Sequence, residues 1–529
     1  GRYTGTFTDW LTLSAAYGVT EDRNVALAGD VVSNYAADVR DGTSNRVSQQ
    51  TSASFTPERA TKREAFRADA DIYFNLLGDH HVRAGYDRED LTLTRFTERT
   101  GGYSLFYRRA AAGTLQAQGG NLAPGQDYLE VNVYRSGGNF ENTNEALYIQ
   151  DSWDVNDQLT LNLGVRLDKF ELNNADGDSI VSFDEEIGPR FGFTYDPGND
   201  GRSRIFGSYG RYYLPVASNT AYRMGASELY YREYFLLGGY TPNPTNPEAV
   251  AAYDQFGQPL ALGAQVVGWN GAAICPDATL GTAGVQGCTV TGDGTASSTE
   301  SLIAQNLQST AEDEFIIGYE RRFGDLWTMS ATLAYRDLLR NAEDVAIDAA
   351  VNALCEDEGI AGCEDIWSGF HQYVIVNPGK GSTITLSDPL PGETDVRTVN
   401  FSAASLGYPE ATRTYTSLTF EFERAFDGIW GLNGSYTISE SKGNTEGYVK
   451  SDVGQADAGI TQDFDQPGLT DGADGLLPNH RGHVFKVYGS YQLTRDLLIG
   501  ANVNVSSPRK FGCMGFHPTD DYAYEYGAA

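Results

Sequence analysis

Between Leu159 and Asp168 the chain alternates without interruption. Leu159, Leu161, Leu163, Val165 and Leu167 fall on one side of an extended strand, and Thr160, Asn162, Gly164, Arg166 and Asp168 fall on the other. A strand of about ten residues, tilted, crosses a bilayer of about 30 Å. The same alternation sets Leu11, Leu13, Ala15, Tyr17 and Val19 against Thr12, Ser14, Ala16 and Gly18. From Phe66 to Leu76 it turns Arg67, Asp69, Asp71 and Asn75 away from the apolar face. It returns at Met329, Ala331, Leu333 and Tyr335, at Trp430, Leu432, Tyr436 and Ile438, and at Leu497, Ile499, Ala501, Val503 and Val505. One face suits lipid and the other water, so these segments read as membrane-crossing strands.

A soluble β-sandwich also alternates, so the connections decide between the two. Short turns fall at Leu77–His80, Asn156–Gln158, Pro197–Gly201, Gly324–Leu326, Phe426–Ile429 and Arg495–Asp496. Long stretches lie between them, at Glu21–Ala60, Thr97–Asn142, Val216–Thr310, Asn341–Glu410 and Gly443–Asn479. Strict alternation of short and long connections predicts an all-β transmembrane antiparallel β-barrel, with about fourteen strands visible, short periplasmic turns and long extracellular loops. Structureless loops of such length are uncommon, so the long stretches are expected to be folded surface elements or binding loops. Within them, TPNPTNP (Thr241 to Pro247) predicts irregular chain, and the spacing of Val345, Ala349 and Leu354 predicts a short helix over Ala342–Leu354. Trp10, Trp153, Trp327 and Trp430 beside the short turns, with Tyr212 and Tyr213 near a long loop, read as interfacial girdles. Gly1 to Phe7 reads as the end of a strand, so the start is expected to be internal or processed.

The charge excludes some partners. Lys+Arg 38 against Asp+Glu 71 gives a net charge of -33, which repels a phosphate backbone, so nucleic acid is not expected. The sequence carries no P-loop, HExxH or GxSxG motif and no paired CxxC spacing, and it reads as a protein that is not an enzyme and requires no cofactor. Five cysteines fall in loops, and their close spacing pairs Cys275 with Cys288 and Cys355 with Cys363 as disulfides, or leaves free thiols; the partner of Cys513 stays open. Two acidic loops, with Asp176 and Asp178 in NNADGD and Asp471 and Asp474 in TDGADG, are the candidate metal sites, for Ca2+, although neither has a full EF-hand spacing and ordinary turns explain them too. His480 and His483 flank Arg481 at a strand end, and His80 and His81 are expected in a solvated turn. Arg67, Asp69, Asp71, Arg166, Asp168, Glu320, Arg322, Arg336, Glu421 and Glu423 are expected to face the lumen, where they hold a plug or meet a substrate.

YIQDSW (Tyr148 to Trp153) followed by LTLNLGVRLD (Leu159 to Asp168) resembles the TonB-dependent outer-membrane receptor family, and GPRFGFTYD (Gly188 to Asp196) and SYGRYYLP (Ser208 to Pro215) continue its order. DEFIIGYERR (Asp313 to Arg322), YRDLLRNAEDV (Tyr335 to Val345), NPG (Asn377 to Gly379), SYTISESKGNTEGY (Ser435 to Tyr448) and LPNHRGHVFKVYGSY (Leu477 to Tyr491) are similar to its Oar-like, OmpA-related branch. The resemblance covers about the last three quarters of the chain. It implies a barrel of about twenty-two strands closed by a plug, with 1–529 as a partial barrel domain. The plug, the TonB box, the carboxypeptidase-regulatory-like N-terminal domain and further strands are expected outside this sequence, since its last residues, DYAYEYGAA, are not an aromatic-ended final strand. A closed fourteen-stranded passive channel is the structural alternative. By resemblance, the function is uptake of a large nutrient or peptide-like ligand in the bacterial outer membrane, driven by the TonB complex through the plug, with lipid and lipopolysaccharide around the wall. A structural or adhesive surface protein is the alternative function.

Overall fold

The structure is a computed structural model that describes residues 1–27, 29–110, 122–237, 252–266, 273–276, 279–280, 286–296, 298–366, 372–455, 459–512 and 517–519. The segments around Thr241 to Pro247, Cys513 and DYAYEYGAA lie outside the described residues.

Fourteen antiparallel strands form the wall in chain order. They are β1 (Arg2–Thr8), β2 (Leu11–Arg23), β3 (Ser54–Asn75), β4 (Asp79–Arg99), β5 (Asp127–Asn156), β6 (Leu159–Asn173), β7 (Ser179–Tyr195), β8 (Ser203–Leu214), β9 (Thr310–Phe323), β10 (Trp327–Arg340), β11 (Arg413–Arg424), β12 (Trp430–Gly443), β13 (His483–Thr494) and β14 (Leu497–Ser506). Each pairs with its predecessor, the meander that short turns dictate. Shorter loop strands hydrogen-bond to the wall and bring the sheet to 22 strands. Among the described residues no pairing joins β1 to β14, and β14 is exposed at every position.

The turns close by side-chain capping of the backbone. Asn156 Oδ1 accepts from the Gln158 and Leu159 amides, Asp196 from those of Gly198 and Gly201, and Asp427 from those of Ile429 and Trp430. Trp327 and Trp430 open their strands beside these turns and meet edge to face at 6.1 Å. The register aligns one apolar row across the wall: Ile317 opposite Leu333, Leu333 opposite Leu418, and Leu418 opposite Ile438. Leu163 and Leu167 are 42% and 43% exposed, so the apolar face points outward rather than into a core.

Three expectations need correction. The strands run far past the membrane: β5 starts at Asp127 rather than Asn142 and has 30 residues, about 100 Å of extended chain against about 30 Å of hydrocarbon. Backbone pairing continues above the apolar band because the next strand supplies partners whichever solvent surrounds them. The helix over 342–354 is instead a strand, Glu343–Ala346, followed by α2 (Asp348–Glu358), α1 being Ser218–Gly225. Val345 and Ile347 are wholly buried, and pairing with Tyr373–Val376 outweighs their helical spacing. His80 and His81 lie within β4, not in a turn. His80 stacks between Phe74 and Trp153 and bonds Asp151 at 2.7 Å, and His81 stacks on Tyr73 and bonds Asp71.

The main hydrophobic cores lie in the outer loops. The largest joins Val345, Ile347, Val351, Val374, Ile384, Leu386, Leu390, Phe401, Leu406 and Phe464. Cys355–Cys363 ties the last turns of α2 into it, and Cys275–Cys288 sits in a second cluster with Val133 and Tyr231. The long loops thus form a folded cap on the wall.

Candidate functional site

The inward face of β3 to β6 carries one ion chain of alternating sign. Arg67 Nε lies 3.3 Å from both Asp69 and Asp87, and Arg166 binds Asp87 at 2.9 Å and Asp168 at 2.7 Å. Tyr148 sits at its centre, receiving a 2.8 Å hydrogen bond from Arg67 and donating to Asp69. Gly85 makes room for that ring, since a Cβ there would lie 2.3 Å from the Tyr148 hydroxyl. Asp71 accepts from Arg83 and His81, both at 2.7 Å. Exposed pairs of this kind contribute about 0–1 kcal/mol each, so the chain orders the wall's inner surface more than it stabilises the wall.

The remaining inward residues keep to the same face. Glu320 pairs with Arg204, Arg336 with Glu314, Glu421 accepts from Ser330, Arg322 donates to the Asp325 carbonyl, and Glu423 follows by register. Tyr148, Asp87 and Gly85 were not singled out for this role from sequence, though Asp87 occupies an inward position of the same alternation.

The acidic loops gather less. Asn174, not a carboxylate, organises the first, accepting from the amides of Asp176 and Asp178. In the second, Asp471 bonds His517 at 3.1 Å and Asp474 faces Lys442 at 3.6 Å. Among the described residues, three ligand-type groups converge only at Glu233, Cys275 and Cys288, where both cysteines are in the disulfide and Glu233 accepts from the Thr279 and Leu280 amides. His480 is buried and accepts from the Ser441 amide, while His483 bonds and stacks on Tyr436 at the start of β13.

At the outer end the cap borders an open vestibule of 1060 Å3 between β4, α1, the strand Glu343–Ala346, Gln455 and residues 460–465. Asn377 of the NPG motif ties segments of the cap together, donating to the Gln308 and Asn341 carbonyls and accepting from the Gln308 amide. Gly379 two residues on has φ 77° and lies against the Glu410 backbone, a place for glycine alone. Buried Asp344 and half-buried Asp465 line the vestibule, and wholly buried Glu343 precedes Asp344 in the chain. Burial, then the charge of Asp344, raises Glu343, which accepts from Thr461; burial, then Asp465, raises Asp344; and burial pushes Asp465 up to about 6, against the opposing pull of Arg223 and Lys450. A raised folded-state value favours the protonated form, so this contribution is complete below the unfolded value near 4 and is lost as pH rises through about 6. Hydrogen-exchange protection of 460–465, corrected for intrinsic rates, is expected to fall as pH rises from about 4 through about 6. Constant protection would contradict the shifts.

An apolar outer face, an ionic inner face and a capped outer end define a transmembrane barrel of outer-membrane type. Residues 184–497, more than half of the chain, match the family described as outer membrane beta barrel domain. Residues 1–254 match the TonB dependent receptor-like beta-barrel family. The TonB-dependent transporter Oar of Myxococcus xanthus is 25% identical over 465 residues, covering 85% of this chain and 38% of that protein. Among solved structures, the outer membrane transporter YddB of Escherichia coli aligns over 99% of this chain and 52% of its own, at 14% identity and a TM-score of 0.49. The siderophore receptor PiuA of Acinetobacter baumannii aligns over 96% and 53%, at 11% identity and 0.45. The chain spans well under half of its curated relative and about half of these structures. It belongs to the outer-membrane β-barrel family, is similar over its first 254 residues to the barrels of TonB-dependent receptors, and resides in the bacterial outer membrane.

Proposed function

We propose that this chain is the barrel of a TonB-dependent transporter that captures a large nutrient or peptide-like ligand in its cap and passes it through a plugged lumen. The observation that carries this reading is the vestibule, built by chain segments remote in sequence at the outer end of a wall whose inner surface is lined with ordered charge. In this reading the ion chain around Tyr148 faces a plug, strands beyond those described close the wall between β14 and β1, and the TonB complex acts on the plug from the periplasm. The apolar band faces lipid, with lipopolysaccharide at its outer rim. A structural or adhesive surface role is favoured by one observation, the rigidity implied by two disulfides and a buried core within the cap.

Depletion of the growth medium separates the two. Mass spectrometry is expected to find one or more components left unconsumed in cells lacking the receptor, in cells lacking TonB and in cells whose vestibule is filled by Ser301→Trp. Identical depletion in all strains, with loss of cell–cell adhesion in the receptor deletion alone, would select the surface role.

A further inference from the structure

In a chain of net charge -33, one pocket on the inner face of the wall reverses the sign. It holds 550 Å3 at the outer ends of β9 to β13, where the cap loops join the strands, and its lining carries Arg336, Arg413, Arg481 and Lys486 against the single carboxylate Glu312. Arg336 is answered by Glu314 at 2.6 Å and Arg413 by Glu312 at 2.8 Å. The other two are not answered. Among the described residues neither Arg481 nor Lys486 forms an ion pair; Arg481 donates to the Ser507 carbonyl at 2.9 Å, and Lys486 is exposed between Ser435 of β12 and Asn504 of β14. On β3 to β6, by contrast, Arg67, Arg83 and Arg166 each meet a carboxylate. Here the inward positions that would supply one hold hydroxyls instead. Ser435, Thr437, Ser439 and Ser441 follow one another along the inward side of β12, about 7 Å apart. Ser439 and Ser441 donate to the Arg481 carbonyl and to Asn479, which leaves both oxygens free to accept.

We propose that this pocket binds a short acidic oligosaccharide, its anionic groups on Arg481 and Lys486 and its hydroxyls on the β12 row. A cleft lined by one sign of charge concentrates ligands of the other, and the two unanswered cations select for carboxylate or phosphate. The hydroxyl row selects for a partner that both donates and accepts, as a sugar does. An apolar anion would satisfy the cations but strip water from the row without replacing it, at about 1–3 kcal/mol for each group left unpaired. A neutral sugar would satisfy the row and leave the cations unanswered. Tyr415, on the same lining, presents a ring on which a sugar face packs. The volume lies within the range of about 300–1,000 Å3 that holds drug-sized ligands, far more than a bare phosphate ion fills.

This names a substrate class for the uptake reading and rests on it. The full-length receptor in detergent is dialysed to equilibrium against trigalacturonate, its fully methyl-esterified form, phosphorylated maltotriose, and tricarballylate, which has carboxylates and no hydroxyl. At least one of the two acidic saccharides is expected to bind, trigalacturonate if carboxylate is the anionic group and the maltotriose phosphate if phosphate is. The acid is expected to exceed its neutral counterpart, the methyl ester or plain maltotriose, by at least about tenfold, the worth of one charge-assisted hydrogen bond. Lys486→Gln and Arg481→Gln are each expected to lower binding of the acid by a similar factor and to leave that of the neutral form where it was, and Lys486→Arg is expected to keep both. Equal binding of the acidic and neutral forms overturns the role given to the cations, and tricarballylate binding as tightly as the acidic saccharide overturns the saccharide. Binding of no probe overturns the proposal as well, and medium depletion then decides separately whether uptake occurs. If a variant fails to insert, the comparison of probes on the wild-type receptor still gives the answer.

Discussion

Leu333→Arg is expected to prevent stable insertion of the wall, while Thr332→Arg, one residue earlier, is tolerated. Leu333 is 44% exposed on the outward face, opposite Ile317 on β9 and Leu418 on β11, and the row offers an arginine no carboxylate. An arginine facing hydrocarbon near mid-membrane costs about 2–4 kcal/mol, a large part of the stability of most folded proteins. Thr332 faces inward, between Gly318 and Thr419, where water or a plug solvates a charge. Leu163 is a weaker place for the same test, because it sits opposite Asp151, and an arginine there acquires a partner. Heat-modifiable migration on gels and urea titration in liposomes measure the effect. Equal loss at 332 and 333 would reverse the assignment of the two faces.

Phe464→Ala is expected to cost about 3–5 kcal/mol and to open the cap while the wall remains folded. Phe464 is 0% exposed and comes from the loop after β12, yet it packs among Val345, Val351, Ile384 and Leu406 of the loop after β10. Removing the ring leaves a cavity in the contact that holds the two loops together. Hydrogen exchange is expected to rise across 341–410 and 459–466, with β9 to β12 unchanged. Simultaneous loss of wall and cap would show that the two are one cooperative unit.

The inward charges were legible for the reason the strands were. A period of two places Arg67, Asp69, Arg166 and Asp168 on one side wherever Leu163 and Leu167 lie on the other, and no tertiary information is needed. Which charges meet is another matter. Arg67 and Arg166 lie on β3 and β6, and only the register of the strands between them brings both to Asp87 and Tyr148. Both disulfide pairs followed from proximity in the chain, whereas the clamp at Asn377 did not, because its partners Gln308 and Asn341 lie in other segments.

The sequence alone determined the alternating strands, the turns marked by Asn156, Asp196 and Asp427, and the division between a face for lipid and a face for water, because each depends on neighbours within a few residues. Tertiary structure decided the cap, the strand at Glu343 in place of a helix, and the vestibule that Asp344 and Arg95 line. These arise from pairing and burial shared by segments remote in the chain, and contacts of that kind override local spacing without leaving a periodic trace.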